Sequence, residues 1–152
     1  MLTCIDQCSR WPEAVPLKNV TAESIVETLL WIFTRTGIPR IVVADNASYN
    51  TSECLRRTGI TPRFSTHYHP EGNSLIERYQ GVIKAMIHHA VHSEKKDWHR
   101  LIPYGLWAYR EIPNATTGVS PYEMVYGLPA RGILSVLKET CTGEQVFPFS
   151  VN

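Results

Sequence analysis

Apolar positions recur along this chain with two periods, and the alternation between them predicts its elements. Ile25, Val26, Leu29, Leu30 and Phe33 fall at helical spacing. They predict a helix from Ala22 to about Thr36, with Thr21 as N-cap, Gly37 as a left-handed stop and Pro39 preventing resumption. Ile76, Tyr79, Ile83, Met86, Ile87 and Ala90 form a second stripe, predicting a long helix from Asn73 to His92. A further helical stretch is expected from Asp97 to Glu111, kinked at Pro103. Ser120-Pro121-Tyr122-Glu123 is a strong helix start, closed by Gly127-Leu128-Pro129.

Between these stripes lie short runs with strand character: Leu2 to Ile5, Trp11 to Leu17, Ile41 to Ala44 and Ile60 to Ser65. Gln7 to Arg10 form a turn between the first two. The unbroken apolar run Ile41-Val42-Val43-Ala44 fits a central strand covered on both faces. A polar loop, Asn46 to Thr51, and a short helix, Ser52 to Arg57, lead to a stop at Gly59. From Arg131 onward the pattern is weak. Two strands, a helix, a strand, a short helix, a strand and then long helices describe an α/β domain with a mixed sheet.

Composition agrees with one domain: 152 residues, 43% apolar and 19% charged. No apolar run approaches the roughly 20 residues of a membrane span, so no membrane partner is expected. No secretory leader is evident, and Cys4, Cys8, Cys54 and Cys141 form no close pair. They read as free thiols of an intracellular protein, with the nucleus among its expected locations, rather than as zinc ligands. Net charge is +1, yet between Arg56 and Arg100 eight basic residues stand against four acidic ones. A local basic excess of this kind favours nucleic acid.

That excess surrounds Glu77, which shares a helix face with Gly81, Lys84 and His88, away from the apolar stripe. Asp45 follows the strand Ile41 to Ala44 directly. Carboxyl ends of strands in α/β sheets are where ligands bind. Two carboxylates without thiolate or imidazole support suit Mg²⁺ or Mn²⁺. Each also has a reading without chemistry: Glu77 as a first-turn helix acid, Asp45-Asn46 as a turn opener. His88 and His92 share a face but lack a third ligand, which suggests a solvated surface. Trp98, Tyr104, Trp107 and Tyr109 read as core.

Four strings occur in order. They are Ile5-Asp6-Gln7-Cys8-Ser9-Arg10, Val43-Ala44-Asp45-Asn46-Ala47-Ser48, and Ser65-Thr66-His67-Tyr68-His69-Pro70 with Ile76-Glu77-Arg78. The fourth is Thr117-Gly118-Val119-Ser120-Pro121-Tyr122-Glu123 with Tyr126-Gly127. Together they resemble the integrase catalytic core of long-terminal-repeat retroelements of the gypsy type, over residues 1–130, with 131–152 as a tail. The resemblance implies a ribonuclease H-like fold and a two-metal site for phosphoryl transfer. It also implies DNA partners (element ends and target DNA) and a homo-oligomer. Asp45 and Glu77 match the second and third acidic ligands, Lys84 a position that touches the DNA end, and His69 the loop leading into the catalytic helix. Arg78, beside Glu77, is taken with Lys84 and His69 as a DNA contact.

The departures from the family are specific. Leu2 to Asp6 match the family's second strand, so the first strand and its catalytic Asp are expected to be missing. Asp6 is the alternative first ligand. Only 31 residues separate Asp45 from Glu77, about one helical turn fewer than usual. Ala47 stands where Gly is usual and Asn50 where an aromatic is usual. The expectation is an incomplete, inactive core fragment, with a decayed DNA-binding module as the alternative.

Overall fold

A computed structural model describes residues 1–44, 49–64, 74–90 and 97–143. The chain opens with a hairpin. Strand β1 (Leu2–Ile5) pairs antiparallel with β2 (Pro12–Val15), with Leu2 opposite Val15 and Ile5 opposite Pro12. The intervening turn holds Arg10 at φ 61°, a left-handed backbone that side-chain-bearing residues rarely adopt. Helix α1 (Ala22–Thr36) starts in a reciprocal capping box. The Thr21 hydroxyl accepts from the Ser24 N–H at 3.2 Å, and the Ser24 hydroxyl accepts from the Thr21 N–H at 3.1 Å. It stops at Gly37, whose N–H donates to the Phe33 carbonyl. The Gly37 dihedrals, φ 86° and ψ 159°, are not the expected left-handed helical pair. They lie in a region open to glycine alone.

Strand β3 (Ile41–Ala44) runs parallel to β4 (Thr61–Phe64), with helix α2 (Tyr49–Arg57) between them. Helix α2 takes in residues the sequence reading gave to a loop. Pro62 has no N–H to give, which suits β4 to an outer position. Helix α3 (Ser74–Ala90) carries the expected apolar stripe: Tyr79 and Ile83 are fully buried, and Ile76 and Ile87 pack beside them. The next stretch does not kink at Pro103. A 3-10 turn, Trp98–Leu101, leads into α4 (Ile102–Glu111), and Pro103 sits in the first turn, where its missing N–H costs nothing. Helix α5 (Pro121–Tyr126) is capped as predicted. The Ser120 hydroxyl accepts from the Glu123 N–H at 3.1 Å, and Gly127 closes the helix at φ 71°. The weakly patterned tail contains a helix that the sequence reading missed, α6 (Ile133–Thr142). Arg131, just before the helix, pairs with Glu139 in its last turn.

The two sheets do not join. Among the described residues the four strands form two separate pairs, β1–β2 and β3–β4. Two apolar clusters hold them, and the hairpin packs against both, with Ile5 and Ala14 in one and Leu2, Cys4 and Val15 against the other. Ala14 of β2 packs with Tyr79, Ile83, Ile102 and Leu106, and residues of α1 pack with Leu55 and Ile60. Between β1 and β3 lies a cavity of about 1020 Å³, lined by Cys4, Ile5, Leu29, Phe33, Val43 and Ile76 among others. This corrects the expectation for β3. Ile41 and Val43 are 43% and 42% exposed, so the strand is not covered on both faces. An apolar run records what a strand would bury, whereas actual cover depends on a neighbour, and β3 has one on one side only. Two aromatics placed in the core are also exposed, Tyr104 at 68% and Trp107 at 45%. Helix α4 has a single inward stripe, Ile102, Leu106 and Tyr109, and both rings are turned away from it.

Candidate nucleic-acid and metal site

The parallel pairing of β3 with β4 fixes where the chemistry can gather. Ala44 lies opposite Phe64, so both strands deliver the chain from the same end of their sheet. Asp45 follows one strand end, and the segment containing His69 follows the other. Asp45 and His69 themselves lie outside the described residues, as do His92 and the side chain of Asn50. Helix α3 then begins at Ser74 and places Glu77 in its first turn. Leu75 and Ile76 of that turn line the cavity between β1 and β3, and the Gln80 amide donates to the Thr3 hydroxyl at 2.9 Å. The start of α3 is thus anchored over the gap between the two sheets.

Glu77, Gly81, Lys84 and His88 are all exposed. The face assigned to them by helical spacing is therefore the one that faces outward, with Tyr79 and Ile83 turned in. Lys84 stands seven residues beyond Glu77, about 10 Å along the axis. This places a cation two turns from a carboxylate on an open surface, a spacing compatible with a metal-bound phosphate flanked by a neutralising amine. Arg78 leaves this face and lines a smaller pocket with Arg10 and Tyr109. His89 bonds the Ala85 carbonyl through its ring Nδ1 at 2.8 Å, and no group of three metal-binding side chains occurs among the described residues.

Asp6, the alternative first ligand, is occupied in the hairpin turn. Its Oδ2 accepts from both the N–H and the hydroxyl of Ser9 at 2.7 Å, a local turn bond of the kind Asp makes readily. The carboxylate that sequence reasoning passed over is Glu13 on β2. It is buried, and it holds Arg35 at 3.0 Å, Arg110 at 3.1 Å and the Trp11 indole N–H at 3.2 Å. The Arg110 guanidinium lies 4.1 Å from the Trp11 ring centre and donates to the Pro12 carbonyl. Burial draws the Arg110 pKa down, and Glu13 opposes that shift. This cluster joins α1, β2 and α4; it is a fastening of the fold, and its signal in the sequence was only an acid at an inward strand position. Burial also pushes the Cys4 thiol up to about 12, with Glu13 adding to the shift. All four cysteines are free in the described structure, Cys4 half-buried and Cys8, Cys54 and Cys141 exposed.

Comparison with known proteins supplies the context. No family model matches the chain. It is 33% identical over 135 residues, 85% of its length, to the Pol polyprotein of Feline endogenous virus ECE1, and 33% identical over 135 residues to the Gag-Pol polyprotein of Feline leukemia virus. It spans 13% of the first of these and 8% of the second. Among solved structures it is similar to the HTLV-2 integrase catalytic core domain in complex with magnesium, in a trimeric form. That match has a TM-score of 0.64 at 17% identity and covers 79% of this chain and 80% of the other. It is also similar to the catalytic core domain of BIV integrase, with a TM-score of 0.65 at 17% identity, covering 93% and 88%. A third, the simian T-cell lymphotropic virus intasome, gives a TM-score of 0.69 at 16% identity, covering 99% and 52%. The ribonuclease H-like α/β class expected from the motifs holds.

Proposed function

Because the chain belongs with the retroviral-like integrase cores, we infer that it is built for DNA integration, of the gypsy retroelement type. We further infer that, as a unit of these 152 residues, it binds DNA without joining it. The observation that carries the reading is the arrangement at the parallel pair. Asp45 follows β3 at the sheet end from which the His69 segment also leaves, and α3 returns with Glu77 and Lys84 facing outward. All-oxygen donors fit a hard divalent cation, Mg²⁺ or Mn²⁺, held by Asp45 and Glu77. Such a metal would polarise a phosphodiester and lower the pKa of the water or 3′-hydroxyl that attacks it. Lys84, Arg78 and His69 are the proposed DNA contacts, with element ends and target DNA as partners, a homo-oligomer as the working form and the nucleus as the site of action.

The separation of the two sheets supports the inactive half of this reading. In a ribonuclease H-like site the metal ligands sit on strands held in one sheet, whereas β1 and β3 here face each other across a cavity. Among the described residues no strand lies between them, so no backbone ladder holds the hairpin to the sheet that Asp45 follows, and phosphoryl transfer demands closely fixed ligands. A purified sample with Mn²⁺ and a labelled element-end duplex tests both halves. The expected result is salt-sensitive binding, weakened by Lys84→Ala and unaffected by metal, with no joining above the Asp45→Ala, Glu77→Ala control. Joining above that control refutes the inactive reading, and absence of any binding at low salt refutes the DNA reading.

A further inference from the structure

We propose that the pocket between the β1–β2 turn, the start of α3 and the loop after α4 binds a phosphate group of a nucleic-acid backbone, with Arg10 and Arg78 as its two cationic arms. The pocket has a volume of about 200 Å³ and is lined by Arg10, Ser74, Arg78, Tyr109, Asn114 and Thr116, together with Leu75. At roughly 30 Å³ per water, that is room for a tetrahedral anion with part of its hydration. None of the described residues lining it is acidic. Nearby acids are placed elsewhere: Asp6 is engaged by Ser9 and Glu13 by Arg35 and Arg110, and neither Glu77 nor Glu111 lines the pocket, while Glu71 lies outside the described residues.

Three observations point to an anion rather than to a filled structural joint. The Arg10 Nε is wholly buried and has no hydrogen-bond partner. A guanidinium N–H left so is costly unless a ligand accepts it. Both guanidiniums act electrostatically on the Tyr109 phenol, which places two like charges around one small volume. Burial keeps that phenol protonated and able to donate. Finally, Arg10 occupies a left-handed backbone conformation, φ 61°, that glycine would hold at less cost. Planar guanidiniums bind phosphate oxygens in pairs, and hydroxyl and amide groups such as those of Thr116 and Asn114 complete such a shell.

The assignment to nucleic acid rests on the proposed function; the phosphate chemistry does not. Two titrations separate them, one with inorganic phosphate and one with a 20-base-pair DNA duplex at fixed ionic strength. Each is followed by the Arg Nε–H resonances and by thermal unfolding, on the parent chain and on Arg10→Gly and Arg78→Gln. Phosphate is expected to shift the Arg10 Nε–H resonance and raise the melting temperature of the parent. Arg10→Gly is expected to melt higher than the parent in phosphate-free buffer, to show no phosphate response, and to bind the duplex at least threefold more weakly. The higher melting point separates lost binding from lost folding. A phosphate response that survives in Arg10→Gly overturns the site. A response lost there while duplex affinity is unchanged overturns the nucleic-acid assignment and leaves free phosphate as the ligand. Failure of DNA joining alters neither result.

Discussion

Replacing Glu13 with Gln tests whether the fold is fastened where the structure indicates. The Glu13 side chain is 6% exposed and holds two guanidiniums, Arg110 at 3.1 Å and Arg35 at 3.0 Å. Gln keeps the shape and one acceptor for the Trp11 indole, but removes the charge. At an effective dielectric near 20, each pair at about 4 Å is worth roughly 4 kcal/mol before desolvation. The Arg35 side chain is 42% exposed, so solvent screens most of its share, to about 0.5 kcal/mol. The Arg110 side chain is 20% exposed and already desolvated enough to lower its pKa. Leaving it without a carboxylate falls in the range for breaking a buried pair, reduced by its partial exposure to about 2–3 kcal/mol. The net expectation for Glu13→Gln is a loss of about 3 kcal/mol, or roughly 6–12 °C in melting temperature. Urea unfolding followed by tryptophan fluorescence measures it. The double variant Glu13→Gln, Arg110→Met should lose less than the sum of the two single changes, because the stranded cation is gone. A single-variant loss under 0.5 kcal/mol, or strict additivity in the double variant, refutes the assignment.

Three further expectations follow from individual groups. Tyr79 is 1% exposed and its hydroxyl has no partner, so Tyr79→Phe should be neutral or stabilising by up to about 1 kcal/mol; a loss above 1 kcal/mol in the same urea assay would show that the hydroxyl is bonded. The Cys4 thiol is held near 12 in the fold against 9.0 for an ordinary thiol, so the unfolded chain ionises first as pH rises. The stability from burying a neutral thiol is present below pH 9 and is lost progressively between 9 and 12, and Cys4→Ala should flatten that decline. At pH 8, mass spectrometry should find iodoacetamide on the exposed Cys8, Cys54 and Cys141 well before Cys4. Gly37→Ala forces a side chain into a glycine-only region and should cost about 1–3 kcal/mol, although a Cβ there meets no other atom; a smaller loss would mean that the turn relaxes freely.

Thr21, Ser120 and Gly127 stand where their local chemistry placed them, because a cap is a bond between near neighbours and needs no distant partner. Tyr79 and Ile83 turn inward as the stripe required. Misassignments fall where a third element decides. Trp107 and Tyr104 carried the same apolar signal as Leu106, but only the stripe facing α3 found cover. Helix α6 was missed because its pattern is weak and its start is unmarked: the N-cap is Gly132, with no side-chain cap bond. In the proposed site, Glu77 and Lys84 were legible as the outward face of an amphipathic helix. Arg10 was not, because its pocket is assembled from three segments far apart in the chain.

What the sequence determined by itself is therefore local and ancestral: caps, turns, helix faces, and four ordered motifs that resemble those of integrase cores. What only the tertiary structure decided is pairing. An apolar run such as Ile41 to Ala44 states that a strand can be buried, but hydrogen bonds between strands depend on which edges meet. Here β3 meets β4 and not β1. Among the described residues that pairing leaves two two-stranded sheets, a fact that the propensity of each strand does not carry.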